Sequence, residues 1–159
     1  MSKQIKRKLK NCLIIKMRIH KEIIIDAPVK EVWNVFSEVE EWPALCSNIV
    51  KIYWTSREKW SLNSTFTQIV KNITPLRIIS HTKVIKIMPY KSVTWTGTRS
   101  LIKGIHTFKF EKINKKTKVT NIEYFKGPLA PIIFPFIKNK FEIYFERFLN
   151  GLKRKVEKQ

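Results

Sequence analysis

Residues 104 to 127 read GIHTFKFEKINKKTKVTNIEYFKG, and this stretch limits the fold more than any other in the chain. His106, Phe108 and Phe110 alternate with Thr107, Lys109 and Glu111. Further on, Val119, Asn121, Glu123 and Phe125 alternate with Thr120, Ile122, Tyr124 and Lys126. A period of two sustained over both runs predicts paired strands. The polar run Asn114-Lys115-Lys116-Thr117 predicts the turn between them, with the fold point at residues 115 and 116. That hairpin sets His106, Phe108 and Phe110 on one face with Asn121, Glu123 and Phe125. A dry core does not normally hold a His, an Asn and a Glu unless they pair with one another or meet a ligand or water.

The 159 residues suit one domain with a sizeable core. Aromatics at 12 % and an ordinary apolar fraction exclude a disordered chain. No apolar run approaches the ~20 residues of a membrane span. Cys12 to Ile15 is too short, and too soon ended by Lys16, for a signal-peptide core, so the expected location is the cytoplasm. Cys12 and Cys46 have neither disulfide nor zinc spacing. The net charge of +20 is uneven: residues 1–21 hold eight Lys/Arg and no acid. Two explanations stand for this charge. One is the Lys-, Ile- and Asn-rich composition of an AT-rich genome; the other is attraction to lipid headgroups or nucleic acid.

Taken in order, residues 1–16 are a basic N-terminal extension in which Ile5, Leu9, Cys12 and Leu13 fall at helical spacing among basic residues. It reads as a solvated tail, or as the product of an upstream start codon before a natural beginning at Met17, in preference to an amphipathic helix whose Lys3, Lys6, Arg7, Lys8 and Lys10 face an anionic membrane. Arg18 to Asp26 reads as a strand, and Asp26-Ala27-Pro28 as a helix start. Val29, Val32, Trp33 and Phe36 at i, i+3, i+4 and i+7 make a short amphipathic helix, and residues 39–47 a second short helical or irregular piece. Strands follow near 49–56, 64–72, 77–88 and 92–100, with breaks at Thr74-Pro75 and Met88-Pro89. After the hairpin, Phe141, Tyr144, Phe145, Phe148, Leu149 and Leu152 form a helical stripe. The helix is expected to begin between Pro128 and Phe136 and to end near Val156. Gly151 inside it is expected to let it sit close to the sheet.

The pattern Gly-x-His-x-Phe-x-Phe, a charged turn, then Thr-x-Val-x-Asn-x-Glu-x-Phe-x-Gly resembles the last hairpin of the SRPBCC superfamily, which includes START-like, Bet v 1-like and polyketide cyclase/dehydrase-type domains. Val-Thr-Trp-Thr-Gly at 93–97, the opening MRIHKEIIIDAPVKEVW and the closing FLNGLKRKVEK are similar to the family's corresponding segments. Asn63 stands where members usually carry Gly, and Asn tolerates a left-handed turn. The resemblance spans residues 17–158. It implies an α+β helix-grip fold: a curved antiparallel sheet wrapped around a long C-terminal helix, two short helices after the first strand, and a cavity between sheet and helix.

No phosphate loop, Ser-His-Asp signature or metal-spaced His/Cys set occurs, so no cofactor or metal is expected. The candidate chemistry is His106 with Glu123. Together they can anchor a ligand carbonyl or act as a general base and its orienting group; alternatively they simply pair with each other or with water. Trp95, His106, Phe108, Asn121, Glu123, Phe125, Phe141 and Phe145 are the candidate ligand-binding set. Three functions remain open at this level. The leading one is binding of a hydrophobic small molecule or lipid in the cavity. The second is a polyketide cyclase/dehydrase-like enzyme using His106 and Glu123. The third is a basic module on anionic membrane or, less favoured, nucleic acid, whose affinity must fall steeply with salt.

Overall fold

A computed structural model of the chain describes residues 17–99 and 101–159. The N-terminal extension, with Lys3, Lys6, Arg7, Lys8 and Lys10, lies outside the described residues. The chain runs β1 (Arg18–Ile25), α1 (Val29–Ser37), a 3-10 turn (Val39–Glu41), α2 (Trp42–Leu45), β2 (Ile49–Trp54), β3 (Thr65–Val70), β4 (Ile78–Met88), β5 (Ser92–Arg99), β6 (Ile102–Ile113), β7 (Lys116–Lys126) and α3 (Ala130–Val156). Seven strands make one sheet in the order β1-β7-β6-β5-β4-β3-β2, and every neighbouring pair is antiparallel. Among the described residues, the only connection that leaves its own sheet edge runs from β1 through α1 and α2 to β2 at the far edge. The sheet curls into a half-barrel around α3, which is the expected helix-grip fold.

The hairpin pairs His106 with Glu123, Phe108 with Asn121 and Phe110 with Val119. Its turn is the two residues Asn114 and Lys115, with Asn114 at φ 56° as the primed hairpin turns require at their first position. The sequence reading placed the fold point one residue later. That error moves the register by two, an even number, so every side chain keeps its face. Asn63 is left-handed, as expected, at φ 70°.

One end of the interior is packed solid. Val32, Trp33 and Phe36 bury the inner face of α1. Trp42 anchors α2 by donating its indole N–H to the Phe36 carbonyl at 2.7 Å, which satisfies the one polar atom of a buried ring. Phe36 meets Trp42, Trp60, Phe108 and Phe110 at ring separations of 4.9 to 5.4 Å. Gly151 belongs to this end. A methyl group there would stand 1.9 Å from the Leu45 carbonyl oxygen, so the glycine brings α3 onto α2. The expectation that it brings the helix onto the sheet was wrong.

The long helix buries Tyr144, Phe145, Phe148, Leu149 and Leu152, with Phe141 partly buried. It starts at Ala130 and runs through Pro135. Pro135 has no N–H to return to the carbonyl of Pro131, so the first turns are held more weakly than the rest. The C-terminal end is tied to β1: Lys153 donates to the Ile24 carbonyl at 2.8 Å, and the Asp26 N–H donates to the Glu157 carboxylate at 2.8 Å.

Candidate functional site

Between the concave face of the sheet and the N-terminal half of α3 lies a cavity of about 470 Å³. It follows from side-chain size along the strands. Parity aims Trp95 and Gly97 of β5 inward, and likewise Ile102, Gly104 and His106 of β6. Gly97 and Gly104 pair directly across the two strands. A methyl group at Gly97 would meet the Ser80 hydroxyl at 2.5 Å, and one at Gly104 would meet the Glu123 carboxyl at 2.5 Å. The two glycines are the floor of the cavity. Ser80 and Thr82 continue it on β4, and Ile133, Ile137 and Phe141 roof it from α3.

At its inner end the cavity meets a row of three paired residues, Trp95, His106 and Glu123, on three adjacent strands. The imidazole lies 4.8 Å from the Trp95 ring and 4.9 Å from that of Phe145, centre to centre. Its Nε2 meets Asn121 Oδ1 at 2.5 Å. With the amide oxygen accepting, Nε2 carries the proton and Nδ1 is left as an acceptor. Nδ1 stands 3.8 Å from Glu123 Oε2, beyond hydrogen-bonding distance.

Burial controls the charge of both groups. Loss of solvent lowers the His106 pKa to about 4, against a smaller opposing pull from Asn121. The same desolvation raises Glu123 to about 8. Between those values the imidazole is neutral and the carboxyl is protonated, so the contact is not an ion pair. Deeper in, Gln68 Nε2 donates to the Tyr144 hydroxyl at 2.6 Å, and burial keeps that phenol well above its ordinary pKa. Among the described residues, no Lys or Arg lines the cavity.

Of the residues singled out in the sequence, Trp95, His106, Glu123, Phe125 and Phe141 line the cavity. Phe108, Asn121 and Phe145 do not: they pack behind the imidazole, around a void of only about 10 Å³, and each is almost fully buried. Asn121 touches the site only through His106. His81 sits on β4 and is bonded to Thr67 Oγ1 at 2.9 Å; His20 lies within β1, exposed, 3.7 Å from Glu22. The sequence reading missed Gln68 and the two floor glycines as parts of the site, and it took Tyr144 as packing alone. The glycines were findable, because they share inward parity with Trp95 and His106, and inward glycines on adjacent strands leave space. Among the described residues no group of His, Cys, Asp and Glu is placed to hold a metal ion, and no helix is long and apolar enough to cross a membrane.

Known proteins bear on this geometry. The chain is similar in structure to the Zhui aromatase/cyclase from Streptomyces sp. R1128, at a TM-score of 0.76 and 10 % identity over 88 % of this chain and 93 % of that one. A START superfamily protein from Mycobacterium smegmatis aligns at 0.70 and 14 % identity over 89 % and 97 %. A protein from Thermus thermophilus aligns at 0.74 and 12 % identity over 87 % and 96 %. Likenesses at such identities establish the fold alone. No curated protein matches by sequence. The sequence model of the family described as polyketide cyclase / dehydrase and lipid transport matches residues 16–157. With nearly its whole length covered, the chain belongs to that family, within the SRPBCC superfamily.

Proposed function

We propose that this protein binds a neutral, largely apolar small molecule in the cavity and holds one oxygen of it between His106 and Glu123. The observation that carries the reading is a cavity of about 470 Å³ with no basic side chain among its described lining and with its His and Glu both uncharged near neutral pH. That volume lies in the range of small-molecule sites. An anionic ligand would be desolvated there without a counter-charge, which is costly. Nδ1 offers an acceptor and the protonated carboxyl a donor. A ligand hydroxyl satisfies both at once, and a carbonyl takes the donor. The apolar walls supply most of the affinity, at ~25 cal/mol per Å² buried. The polar pair supplies selectivity, because an unmatched buried polar group costs ~1–3 kcal/mol.

Native mass spectrometry of protein purified from cells tests this directly by identifying a retained ligand. Titration with a neutral apolar dye, followed through the dye's own emission, is the second measurement. Ile137→Trp fills the cavity and should abolish dye binding. His106→Ala should change which ligands bind more than how tightly the best one does. Undiminished dye binding by Ile137→Trp would refute the site.

A second reading is a cyclase/dehydrase-like enzyme. An unprotonated Nδ1 facing a protonated carboxyl at 3.8 Å in a largely apolar cavity is an acid–base pair set for proton transfer through a bound substrate. Its family and the Streptomyces neighbour favour it. The readings separate at His106→Ala: an enzyme loses turnover with binding retained, whereas a carrier has no turnover to lose.

A further inference from the structure

We propose that the mouth of the cavity is a docking surface for the face of an anionic lipid bilayer. The surface goes beyond the ligand reading and does not depend on what the cavity holds. The cavity opens where Pro75 and Leu76, between β3 and β4, both line it and stand in solvent. Four large apolar side chains surround that opening with little cover: Leu76 is 73 % exposed, Leu101 54 %, Ile132 63 % and Phe136 80 %. They come from three separate segments that meet there. Ile132 and Phe136 are one turn apart on α3, next to the cavity-lining Ile133 and Ile137. The Leu101 carbonyl lies so close to Gly127 that a methyl group there would be 2.0 Å away, which places the β5–β6 turn against the start of α3. Single exposed apolar residues are ordinary, but four converging on one opening are not.

Charge names the occupant. No Asp or Glu occurs between Glu58 and Glu111, nor between Glu123 and Glu142, and these two stretches supply Leu76, Leu101, Ile132 and Phe136. The one acid between them that faces the cavity, Glu123, is inside and protonated near neutral pH. Lys103 and Lys126 stand directly opposite each other on β6 and β7 beside the opening, and neither has an acidic partner among the described residues. Two like charges so placed repel, a cost removed when an anionic surface approaches. The opening is also at the N-terminal, positive end of the α3 dipole. The acids gather elsewhere. Seven of the twelve lie between Glu22 and Glu58, and Asp26 and Glu157 meet at the opposite end of α3. An apolar rim flanked by two lysines without acidic partners among the described residues fits a phosphate-bearing, hydrocarbon-cored surface. A nucleic acid would leave Ile132 and Phe136 without a partner.

The test is co-sedimentation of the full chain with phosphatidylcholine vesicles, with and without about 30 % phosphatidylglycerol. Binding is expected to the anionic vesicles only. It should fall roughly tenfold or more in the double variant Ile132→Ser/Phe136→Ser, and several-fold in Leu76→Ser. Lys103→Gln/Lys126→Gln should weaken it and flatten its salt dependence. All these side chains are at the surface, so unchanged melting temperatures should accompany the loss. Replacing Lys3, Lys6, Arg7, Lys8 and Lys10 by Gln in the full chain tests the N-terminal lysines separately. The proposal is overturned if the chain ignores anionic vesicles, if the Ile132/Phe136 variant binds as the parent does, or if only the N-terminal replacements abolish binding. It is equally overturned if the Ile132/Phe136 variant loses self-association in sedimentation velocity while vesicle binding is unchanged.

Discussion

The two ends of the interior are built on the same strands and differ in what fills them. Along β6 the inward residues are Phe110, Phe108, His106, Gly104 and Ile102. The first two are nearly fully buried among aromatic rings; the last two line a void. β5 repeats the change through Val93, Trp95 and Gly97. The long helix does so too, with Phe145, Phe148 and Gly151 pressed against protein and Ile133 and Ile137 over empty space. His106 sits at the boundary, with packed rings behind it and the cavity in front. Pairing of β5, β6 and β7 is continuous through both ends, so beneath these strands the cavity is made by omitting side chains rather than by opening the sheet. Stability should therefore reside at the filled end and binding at the hollow one.

Substitutions can break that division. The largest effect is expected for Phe36→Ala, which removes a fully buried ring packed among five others and should cost ~3–5 kcal/mol in urea unfolding. Dye binding should persist in whatever fraction remains folded. Gly151→Ala comes next. In an unobstructed helix this change stabilises by ~1 kcal/mol. Here the new methyl meets the Leu45 backbone, which cannot turn aside, so a loss of ~1–3 kcal/mol is expected. A stabilised Gly151→Ala would show that α2 yields and that the filled end is looser than its geometry.

The pH dependence sharpens the comparison, because both titrating groups are at the boundary. Glu123 is raised from 4.5 to about 8, so the folded state keeps a proton that the unfolded chain releases. Its contribution to stability falls as pH rises across that window. His106 is lowered from 6.5 to about 4, so its contribution rises with pH across its own window. The slopes oppose each other from 4.5 to 6.5 and leave a net fall from 6.5 to about 8, on the order of 1–2 kcal/mol. Glu123→Gln should remove that fall in chemical denaturation measured across pH; persistence of the fall would assign it to another group. The smallest stability effect is expected at Gly104→Ala. The obstructing atom there is the end of a flexible carboxyl, so the cost should stay under ~1 kcal/mol while ligand preference shifts with the displaced Glu123.

Much of the fold was legible. Alternation marked the strands to within two residues, and the helical stripe marked α3 with its ends. Even a misplaced hairpin turn left the faces right, since Asn114-Lys115 and Lys115-Lys116 differ by an even register step. The site was legible only in part. Parity brought out His106 and Glu123, but parity also aims Phe108 and Asn121 inward, and nothing in a period of two tells how far along a strand the facing helix stands off. Phe145 was misplaced for the same reason, because its contact depends on where α3 crosses β6. Gln68 and Tyr144 come together from β3 and α3, 76 residues apart, and neither carries a local signal of the other.

What this sequence determined alone is which face each side chain takes, because the spacing of residues along a strand or helix is local geometry. It also determined that the inner face of the last hairpin carries a His, an Asn and a Glu among phenylalanines. Tertiary structure decided which of these meet empty space. Gly151 draws one end of α3 down onto α2, while Gly97 and Gly104 leave the sheet bare beneath its other end. It also decided the protonation states, since desolvation depends on every element closing around a group and not on its neighbours in the chain.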